Sequence, residues 1–430
     1  MNFEQEFDLE QKECKRNLFI NKIEKYDEDQ IPIMRDKGYC SKGFVEKTAH
    51  FLSGTITYKR RRWSKDGESC YPVDEYIGLE KRQRVSEEVF KRICYYLPKS
   101  TYRDIAETFR DNDIDISHFV VFKARQWATH LMEEREAYRY YEEIELHEKI
   151  NAKIIYLEAD GLMIKTSCRS EQRKHTDYSH YVLHTGKRGK KIENFVEFYD
   201  TQTSKAKEQL IDYIYNHFEI TPDTLLYTRS DGGIGYTASV FHSLAKEIGI
   251  ARGNHHYFWD RWHVFRYIHD QTKTFPEEIH SLFIDAINSH SHDKLHLALD
   301  TMESLLVSEE SEERFESFKK RMLSNFRYTH KALQRGLSHR DIPVIEANHK
   351  KVTHRMKHRG MYWSIDGALT VIRIIVMKKL GILKELFDGD WREEYAKYQE
   401  IENVKFSKGQ SQYQGRQAHY ISKRRPPQTI

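Results

Sequence analysis

The sequence predicts an α/β domain whose strands bring carboxylates to one edge of a sheet, preceded by a smaller hairpin and helical region. The main observation is the apolar run of residues 154–157 (Ile-Ile-Tyr-Leu), which leads to Asp160 and Gly161. A similar run precedes Asp231, and a less regular one precedes Asp260. Continuous runs of β-branched and aromatic residues are typical of buried strands. We therefore expect three strands that each end at an aspartate.

Two further strands and two helices complete the predicted sheet domain. The pattern predicts strands over residues 179–186 and 192–199 and helices over residues 205–218 and 236–248. The resulting order, β-β-β-α-β-α-β followed by a helix, is that of the ribonuclease H-like fold. The first and fourth strands of that fold are parallel neighbours. We therefore expect Asp160 and Asp231 at the same edge of the sheet.

The rest of the chain divides into regions that differ in composition and periodicity. Helical sequence follows Asp260 for about a hundred residues, which is far longer than a loop. The expected regions are a helical arm (1–50), a hairpin and helix-turn-helix-like DNA-binding region (51–150), the first part of the α/β core (151–270), an all-helical insertion (271–360), the last catalytic helices (361–402) and a basic flexible tail (403–430).

Composition limits the class of protein. The chain has 430 residues, enough for two or three units with their own cores. Its formal charge is only +4, but positive residues cluster in runs at 59–62, 187–191 and 423–425, which suits a polyanion. The five cysteines form no C-x-x-C pair, so neither a disulfide framework nor a cysteine zinc site is indicated. Since no apolar run approaches the roughly 18 residues of a membrane span, we expect a cytoplasmic protein without a membrane partner.

The region before residue 150 has features of a DNA-binding unit. Residues 54–63 alternate as a strand with a basic rim, and helical segments begin at Ser86, Thr101 and Ser117, each a suitable cap. The last two segments fit a helix-turn-helix. The alternatives are an edge strand protected by charge and an ordinary three-helix bundle. The residues expected to contact DNA are Lys59, Arg60, Arg61, Arg62, Ser117, His118, Lys123 and Arg125.

Three aspartates are the candidate catalytic residues and metal ligands. Asp160 and Asp231 follow predicted strands, and Asp366 lies in the first turn of a helix that Ser364 is placed to cap. Asp-Gly also occurs in simple turns, and an acid in a first turn is favoured by the helix dipole alone. Carboxylates that converge on one edge would bind two Mg²⁺ or Mn²⁺ ions and support phosphodiester chemistry.

A second cluster, Asp260-Arg-Trp-His263, follows the last predicted strand. An acid and a histidine at this spacing lie on one face of a helix, where they can bind metal. The alternative without a functional role is a structural Asp-His hydrogen bond at the corner between strand and helix. We expect Asp260 and His263 to support the metal ligands or to contact DNA.

These motifs together resemble a known family, the bacterial insertion-sequence transposases of the ISLre type, and more distantly the Mutator-like transposases. The residues that carry the resemblance are Gly54–Trp63, Tyr76–Leu79, Tyr102-Arg103, Ile116-Ser117, Asp160-Gly161, Leu183–Gly186, Ser230–Gly232, Asp260 with His263, and Trp363–Ala368. The resemblance implies transposition by a DDE-type site, with Asp160 and Asp231 as the first two metal-binding acids. The family usually has Glu where Asp366 stands, and Glu346 is the other candidate for the third ligand.

The sequence therefore predicts a DNA transposase that binds the ends of its own element and hydrolyses and transfers phosphodiester bonds. Its expected partners are double-stranded DNA, as element ends and target, and further copies of the chain on that DNA. Two alternatives are a DNA-binding relic or repressor without catalysis, and a nuclease of the same fold that cuts without joining.

Overall fold

The structure, a computed structural model, describes most of the chain. The described residues are 2–142, 148–167, 173–340, 342–357 and 360–407. The chain divides into two compact units: unit 1 comprises residues 1–145 and 377–430, and unit 2 comprises residues 146–376. From position 408 onward, the predicted basic tail lies outside the described residues. None of the helices in the described part combines the length and apolar character needed to cross a bilayer.

Unit 1 begins with a long helix and a three-stranded antiparallel sheet, followed by short helices and one longer helix. Its first elements are α1 (Phe3–Asp36), β1 (Cys40–Phe51), β2 (Gly54–Lys65), β3 (Glu68–Cys70), α2 (Pro72–Tyr76), α3 (Glu87–Tyr96), α4 (Tyr102–Arg110) and α5 (His118–Glu142). The sheet order is β1-β2-β3. The three predicted helices are present as α3, α4 and α5. Thr101 caps α4 by accepting the Asp104 amide at 3.3 Å.

The helical arm is shorter than the sequence predicts, because residues 40–50 belong to the sheet. They form most of β1, in which Lys47, Ala49 and Phe51 alternate inward. The buried Lys47 ammonium lies 2.9 Å from the Asp74 carboxylate. A lysine at an inward position interrupts the apolar alternation by which a strand is recognised in a sequence. The boundary of the arm is therefore corrected from residue 50 to the start of β1.

Unit 2 is built on a five-stranded mixed sheet. Its elements are β4 (Ile154–Thr166), β5 (Lys174–His184), β6 (Gly186–Arg188), β7 (Lys191–Glu193), β8 (Val196–Asp200), α6 (Thr203–His217), β9 (Leu225–Ser230), α7 (Ala238–Glu247), β10 (His255–Trp259), α8 (Arg261–Thr272), α9 (Glu277–Ser289), α10 (His292–Glu303), α11 (Glu309–Asn325), α12 (Ile345–Met356) and α13 (Ile365–Leu380). The sheet order is β10-β9-β4-β5-β8. β4 and β9, the predicted first and fourth strands, pair in parallel, so this part of the prediction is confirmed.

The first of these strands does not end at Asp160, as predicted, but continues to Thr166. β9 pairs with β4 only as far as Ala159, whereas β5 pairs with it along its whole length beyond that point. Glycine suits position 161 of the continued strand, because any larger residue would collide with the Asp177 carboxylate of β5. A Cβ at this position would lie 2.6 Å from that carboxylate. Asp160 is therefore the first residue of β4 beyond its parallel neighbour, and the edge at which the acids meet is the end of β9.

The two faces of the sheet are covered differently. Ile155 and Leu157 of β4 belong to a large apolar core that also contains side chains of α6 through α11. The opposite face of β4 carries Ile154 and Tyr156, and α12 packs against this strand. Between α11 and α12, the described chain forms short 3₁₀ turns, so the insertion predicted to be all-helical is interrupted there. The helix that covers the acid-bearing strand is therefore α12, within the predicted insertion.

The last helices complete unit 1 instead of the sheet of unit 2. α14 (Leu383–Asp388) and α15 (Trp391–Ser407) follow the return of the chain to unit 1 at Met377. The Phe387 ring stacks on Trp127 of α5, with 5.4 Å between ring centres. The Arg392 guanidinium binds both carboxylate oxygens of Glu87 on α3, at 2.5 and 3.1 Å. The sequence predicts that residues 361–402 form the last catalytic helices. The second half of this segment packs instead on helices of the N-terminal region, so the prediction is corrected for that half.

This packing predicts that Phe387→Ala destabilises unit 1. The side chain is 1% exposed, and removal of a buried aromatic ring costs about 3–5 kcal/mol. Hydrogen exchange of the α3 and α5 amides measures the effect on unit 1 alone. Ile382→Ala is the control, since Ile382 lies in the same segment but is 46% exposed. Unchanged exchange in the Phe387 variant would show that unit 1 folds without these helices.

Candidate active site

Two of the predicted acids meet where β9 ends. Asp160 follows the last residue of β4 that pairs with β9, and Asp231 follows the last residue of β9 itself. Both line one cavity of about 240 Å³. Other residues that line it are Arg229, Asp260, Trp262, His263 and Glu346. The structure thus brings together four of the five residues predicted for the site, along with Glu346, the other candidate for the third ligand.

The Asp160 carboxylate is buried among nitrogen atoms. Its Oδ1 accepts a hydrogen bond from the Gly161 amide at 2.7 Å. Its Oδ2 lies 3.6 Å from Nε2 of His263 and 3.4 Å from Nδ1 of His349. Burial raises the pKa of Asp160, but the neighbouring His263 and His349 side chains and the hydrogen bond from the Gly161 amide outweigh it and hold the pKa below its usual value. Asp160 is therefore ionised at neutral pH.

His263 is held in place by Asp260 at the start of α8. Oδ1 of Asp260 accepts the His263 backbone amide at 3.1 Å, and its Oδ2 accepts a hydrogen bond from Arg229 at 3.0 Å. Burial lowers the pKa of His263, but the carboxylates of Asp160, Asp260 and Asp231 outweigh it and raise the pKa. The Asp260 side chain therefore fixes the start of α8 by binding the His263 backbone amide, while the His263 ring faces Asp160. The role predicted for Asp260 and His263, either support of the metal ligands or contact with DNA, stays a prediction.

Asp231 lies in a tight glycine loop. Its carbonyl oxygen accepts hydrogen bonds from Trp259 at 2.8 Å and from Arg321 at 3.0 Å. Its own Oδ1 accepts the Gly233 amide at 2.9 Å. Gly232 has a φ of +67°, and a Cβ on it would lie 3.2 Å from the Trp259 indole nitrogen. The glycine after this acid is therefore required by backbone conformation and by close packing, as well as by the turn.

Glu346 reaches the cavity from the first turn of α12. Buried Glu158 holds the start of this helix, because its carboxylate oxygens accept the Val344 amide at 2.6 Å and the Ile345 amide at 3.4 Å. Burial raises the pKa of Glu158 to about 7. The spacing of Glu346 and His349 places both on one face of the helix. That i, i+3 pair is the sequence signal by which this side of the site could have been found.

Two charged residues beside the cavity are not indicated by the sequence. Burial and the charges of Asp160 and Asp231 raise the pKa of Asp177, which lies in the alternating pattern of β5. Burial lowers the pKa of Lys357, although Asp160, Glu346 and Asp177 are near enough to oppose this. The charges of Asp160 and Glu346 therefore both favour the protonated form of the Lys357 ammonium group.

Asp366 lies apart from this cavity. It is exposed in the first turn of α13 and is not among the residues that line the cavity. The preceding Trp363 forms a bridge with Thr166 at the far end of β4, roughly 20 Å along the strand from Asp160. The structure therefore does not bring Asp366 together with the first two acids, and its role as a ligand stays a prediction.

The side chains are not arranged as a formed metal site. Within the described ranges, no group of three or more His, Cys, Asp or Glu side chains is close enough to hold a metal ion. Oδ2 of Asp160 faces His263 and His349 instead of a second carboxylate.

The predicted DNA contacts of unit 1 fall into two groups. Arg60 binds the Asp74 carboxylate, and Arg61 lies 3.2 Å from the Asp27 carboxylate. Arg125 is buried. The predicted contacts that are exposed are Lys59, Arg62, Ser117, His118 and Lys123. The first group is held within the unit, so the exposed group is the one placed to meet a partner.

The chain is similar to proteins of one uncharacterised family. The sequence profile of that family, UPF0236, matches residues 2–394. A protein of Streptococcus gallolyticus described as the UPF0236 protein in the vanSb 3' region is 28% identical over 382 residues, which are 87% of this chain and 80% of that protein. Among solved structures, the Drosophila P element transposase strand transfer complex matches 71% of this chain and 82% of that chain, with 11% identity and a TM-score of 0.25. A TM-score of this size supports no conclusion about fold or function.

Proposed function

The chain belongs to the uncharacterised protein family UPF0236, and we propose that it is the DNA transposase of an insertion sequence. In this proposal it cuts phosphodiester bonds at the ends of its element and joins those ends to a target. The observation that carries the proposal is the cavity at the end of β9, which Asp160, Asp231 and Glu346 line together. Carboxylates that line one cavity are placed to hold, once they converge, the metal ions that promote phosphoryl transfer.

The proposal includes a ribonuclease H-like fold for unit 2. Its support is the strand order β10-β9-β4-β5-β8. β4, β5 and β8 pair antiparallel, and β4, β9 and β10 pair in parallel. The predicted fold requires the first and fourth strands to be parallel neighbours, and this arrangement puts Asp160 beside the end of β9.

The proposed cofactors are two Mg²⁺ or Mn²⁺ ions. These hard cations prefer oxygen ligands, and the donor set of Asp160, Asp231 and Glu346 fits that preference. When bound, such ions activate an attacking oxygen and stabilise the leaving oxygen in an in-line displacement at phosphorus. Asp366, the third ligand predicted from the sequence, is the alternative to Glu346.

The neighbouring residues hold the acids in place. His263 and His349 approach the same oxygen of Asp160 from α8 and α12. Asp260 fixes the start of α8, and Glu158 fixes the start of α12. Each histidine is therefore positioned by a separate acid that binds the backbone of its helix. We assign these residues to the orientation of Asp160 and Glu346 and not to the chemical step.

Double-stranded DNA is the proposed partner. In unit 1, the hairpin exposes Lys59 and Arg62, and α5 exposes His118 and Lys123 near its start. Exposed lysine and arginine side chains neutralise phosphates and release counterions. Unit 1 accordingly binds the element ends in this proposal. Because transposition requires both ends, we propose that the chain acts as a homo-oligomer on DNA.

A catalytically inactive DNA-binding protein, as a relic or repressor, is the second candidate. The observation that favours it is the pair of histidines on Oδ2 of Asp160, which leaves this oxygen engaged within the protein. Under this hypothesis, the acids and histidines form a structural network, and only the exposed basic residues of unit 1 are functional.

The test uses the full-length protein and a plasmid that carries the DNA flanking its gene. We expect cleavage at both element ends and joining of these ends to a second DNA in Mg²⁺, with neither reaction in EDTA. Cleavage without joining would indicate a nuclease. Specific binding without cleavage in either Mg²⁺ or Mn²⁺ would indicate the relic or repressor.

A further inference from the structure

A second basic surface lies in unit 2, on the hairpin formed by β6 and β7. Four of five consecutive residues there are positively charged: Lys187, Arg188, Lys190 and Lys191. All four are exposed. Within the part of the chain that the structure describes, none of them forms an ion pair. The proposed function of the acid cavity makes no use of this charge.

The hairpin is a fixed structure and not a loose turn. The Thr185 amide donates to the Glu193 carbonyl at 3.0 Å, and the Asn194 side chain donates to the Thr185 hydroxyl at 2.9 Å. The strand register places Arg188 directly opposite Lys191. Like charges in this position destabilise a strand pair. The fold therefore keeps an unfavourable set of charges in place, which a bound polyanion would relieve.

We propose that the β6–β7 hairpin is a second DNA contact, which binds backbone phosphates of the duplex beside the bond to be cut. The hairpin follows His184, the last residue of β5, which is paired with Tyr156 of β4. The base of the hairpin is near the cavity, because Tyr156 is about 14 Å along the strand from Asp160 and Ile192 of β7 packs against Val344 and Ile345, which precede Glu346. A duplex spans about 14 Å in roughly four base pairs, at 3.4 Å each. That the hairpin binds a polyanion follows from its charge alone. That this polyanion is DNA rests on the proposed function.

The experiment compares three full-length proteins. The hairpin variant combines Lys187→Gln, Arg188→Gln, Lys190→Gln and Lys191→Gln. The control variant removes the same four charges from exposed positions elsewhere in unit 2 and combines Lys205→Gln, Lys246→Gln, Arg252→Gln and Lys273→Gln. Fluorescence anisotropy measures binding to a duplex of random sequence in EDTA, at salt concentrations between about 50 and 200 mM. Thermal unfolding of each protein checks that the fold is kept.

For the hairpin variant, we expect the slope of log K against log salt to become shallower by roughly 0.9 for each phosphate that is no longer neutralised, or roughly 2–4 in all. The slope of the control variant should change by less than about 0.9. Equal changes in both variants, or none in the hairpin variant, would overturn the proposal. The same comparison is made with poly-glutamate. If the hairpin variant loses as much affinity for poly-glutamate as for DNA, the partner is an acidic protein, and this result too would overturn the proposal. The assay requires no cleavage, so an inactive wild-type protein would refute the transposase function without affecting this result.

Discussion

Replacement of Asp160 or Asp231 by asparagine is expected to abolish cleavage and joining of element ends while DNA binding stays nearly unchanged. Asparagine preserves the size of the side chain but removes the charge that would hold a divalent cation. We expect a loss of at least on the order of a thousandfold in rate, which corresponds to about 4 kcal/mol of transition-state stabilisation. Cleavage assays in Mg²⁺ and mobility-shift assays on the same preparations measure the two properties separately.

Asp66→Asn is the matched control for this pair. It removes the same charge from the same Asp-Gly dipeptide, but Asp66 has a φ of +49° in the turn between β2 and β3. Asparagine is well tolerated in this conformation, so activity should be unaffected. Undiminished cleavage by the Asp160 or Asp231 variant would contradict the assignment of these acids. Loss of DNA binding by either would point instead to a disturbed fold.

The meeting of Asp160 and Asp231 is predictable from the sequence because it depends only on strand order. Two similar apolar runs, each followed by Asp-Gly, become parallel neighbours when the intervening strands pair as a meander. The exact end of the first strand is not predictable in the same way. The strand continues beyond Asp160 because β5 pairs with it as far as Thr166, and Gly161 leaves room there for the Asp177 carboxylate of that strand.

Local sequence could not rank Glu346 above Asp366 as the third acid. Asp366 has a capped helix and a glycine neighbour, which match the expected motif, whereas Glu346 lies in a plainly helical stretch. What distinguishes Glu346 is a long-range contact, since Glu158 binds the amides of Val344 and Ile345 and fixes α12 over β4. Glu158 itself appears in sequence only as an acid within a strand.

Unit 1 departs from prediction for a similar reason. Lys47 occupies an inward position in β1 that is acceptable only because Asp74 lies beside it. From nearly the other end of the chain, Phe387 packs on Trp127 of α5 and Arg392 pairs with Glu87 of α3. Neither the buried ion pair nor the return of the C-terminal helices leaves a periodic signal, so composition and spacing do not reveal them.

The third carboxylate is decided by a pair of variants with opposite expected results. Glu346→Gln should abolish cleavage as completely as Asp160→Asn, because Glu346 lines the cavity with both aspartates. Asp366→Ala should leave cleavage intact, since Asp366 is exposed outside that cavity. Its loss should cost only about 0.3–1 kcal/mol of stability through the helix dipole.

Mn²⁺ binding and DNA cleavage, measured on the same two variants, distinguish a ligand from a residue that only supports the fold. If Glu346 is a ligand, Glu346→Gln lowers Mn²⁺ affinity and activity together, and Glu346→Asp restores part of both because it returns the charge one methylene shorter. If Glu346 only stabilises α12, the Glu346→Gln protein keeps the Mn²⁺ affinity of the wild type. An inactive Asp366→Ala protein beside an active Glu346→Gln protein would reverse the assignment, and it would require α13 to carry Asp366 to the end of β9 when DNA and metal are bound.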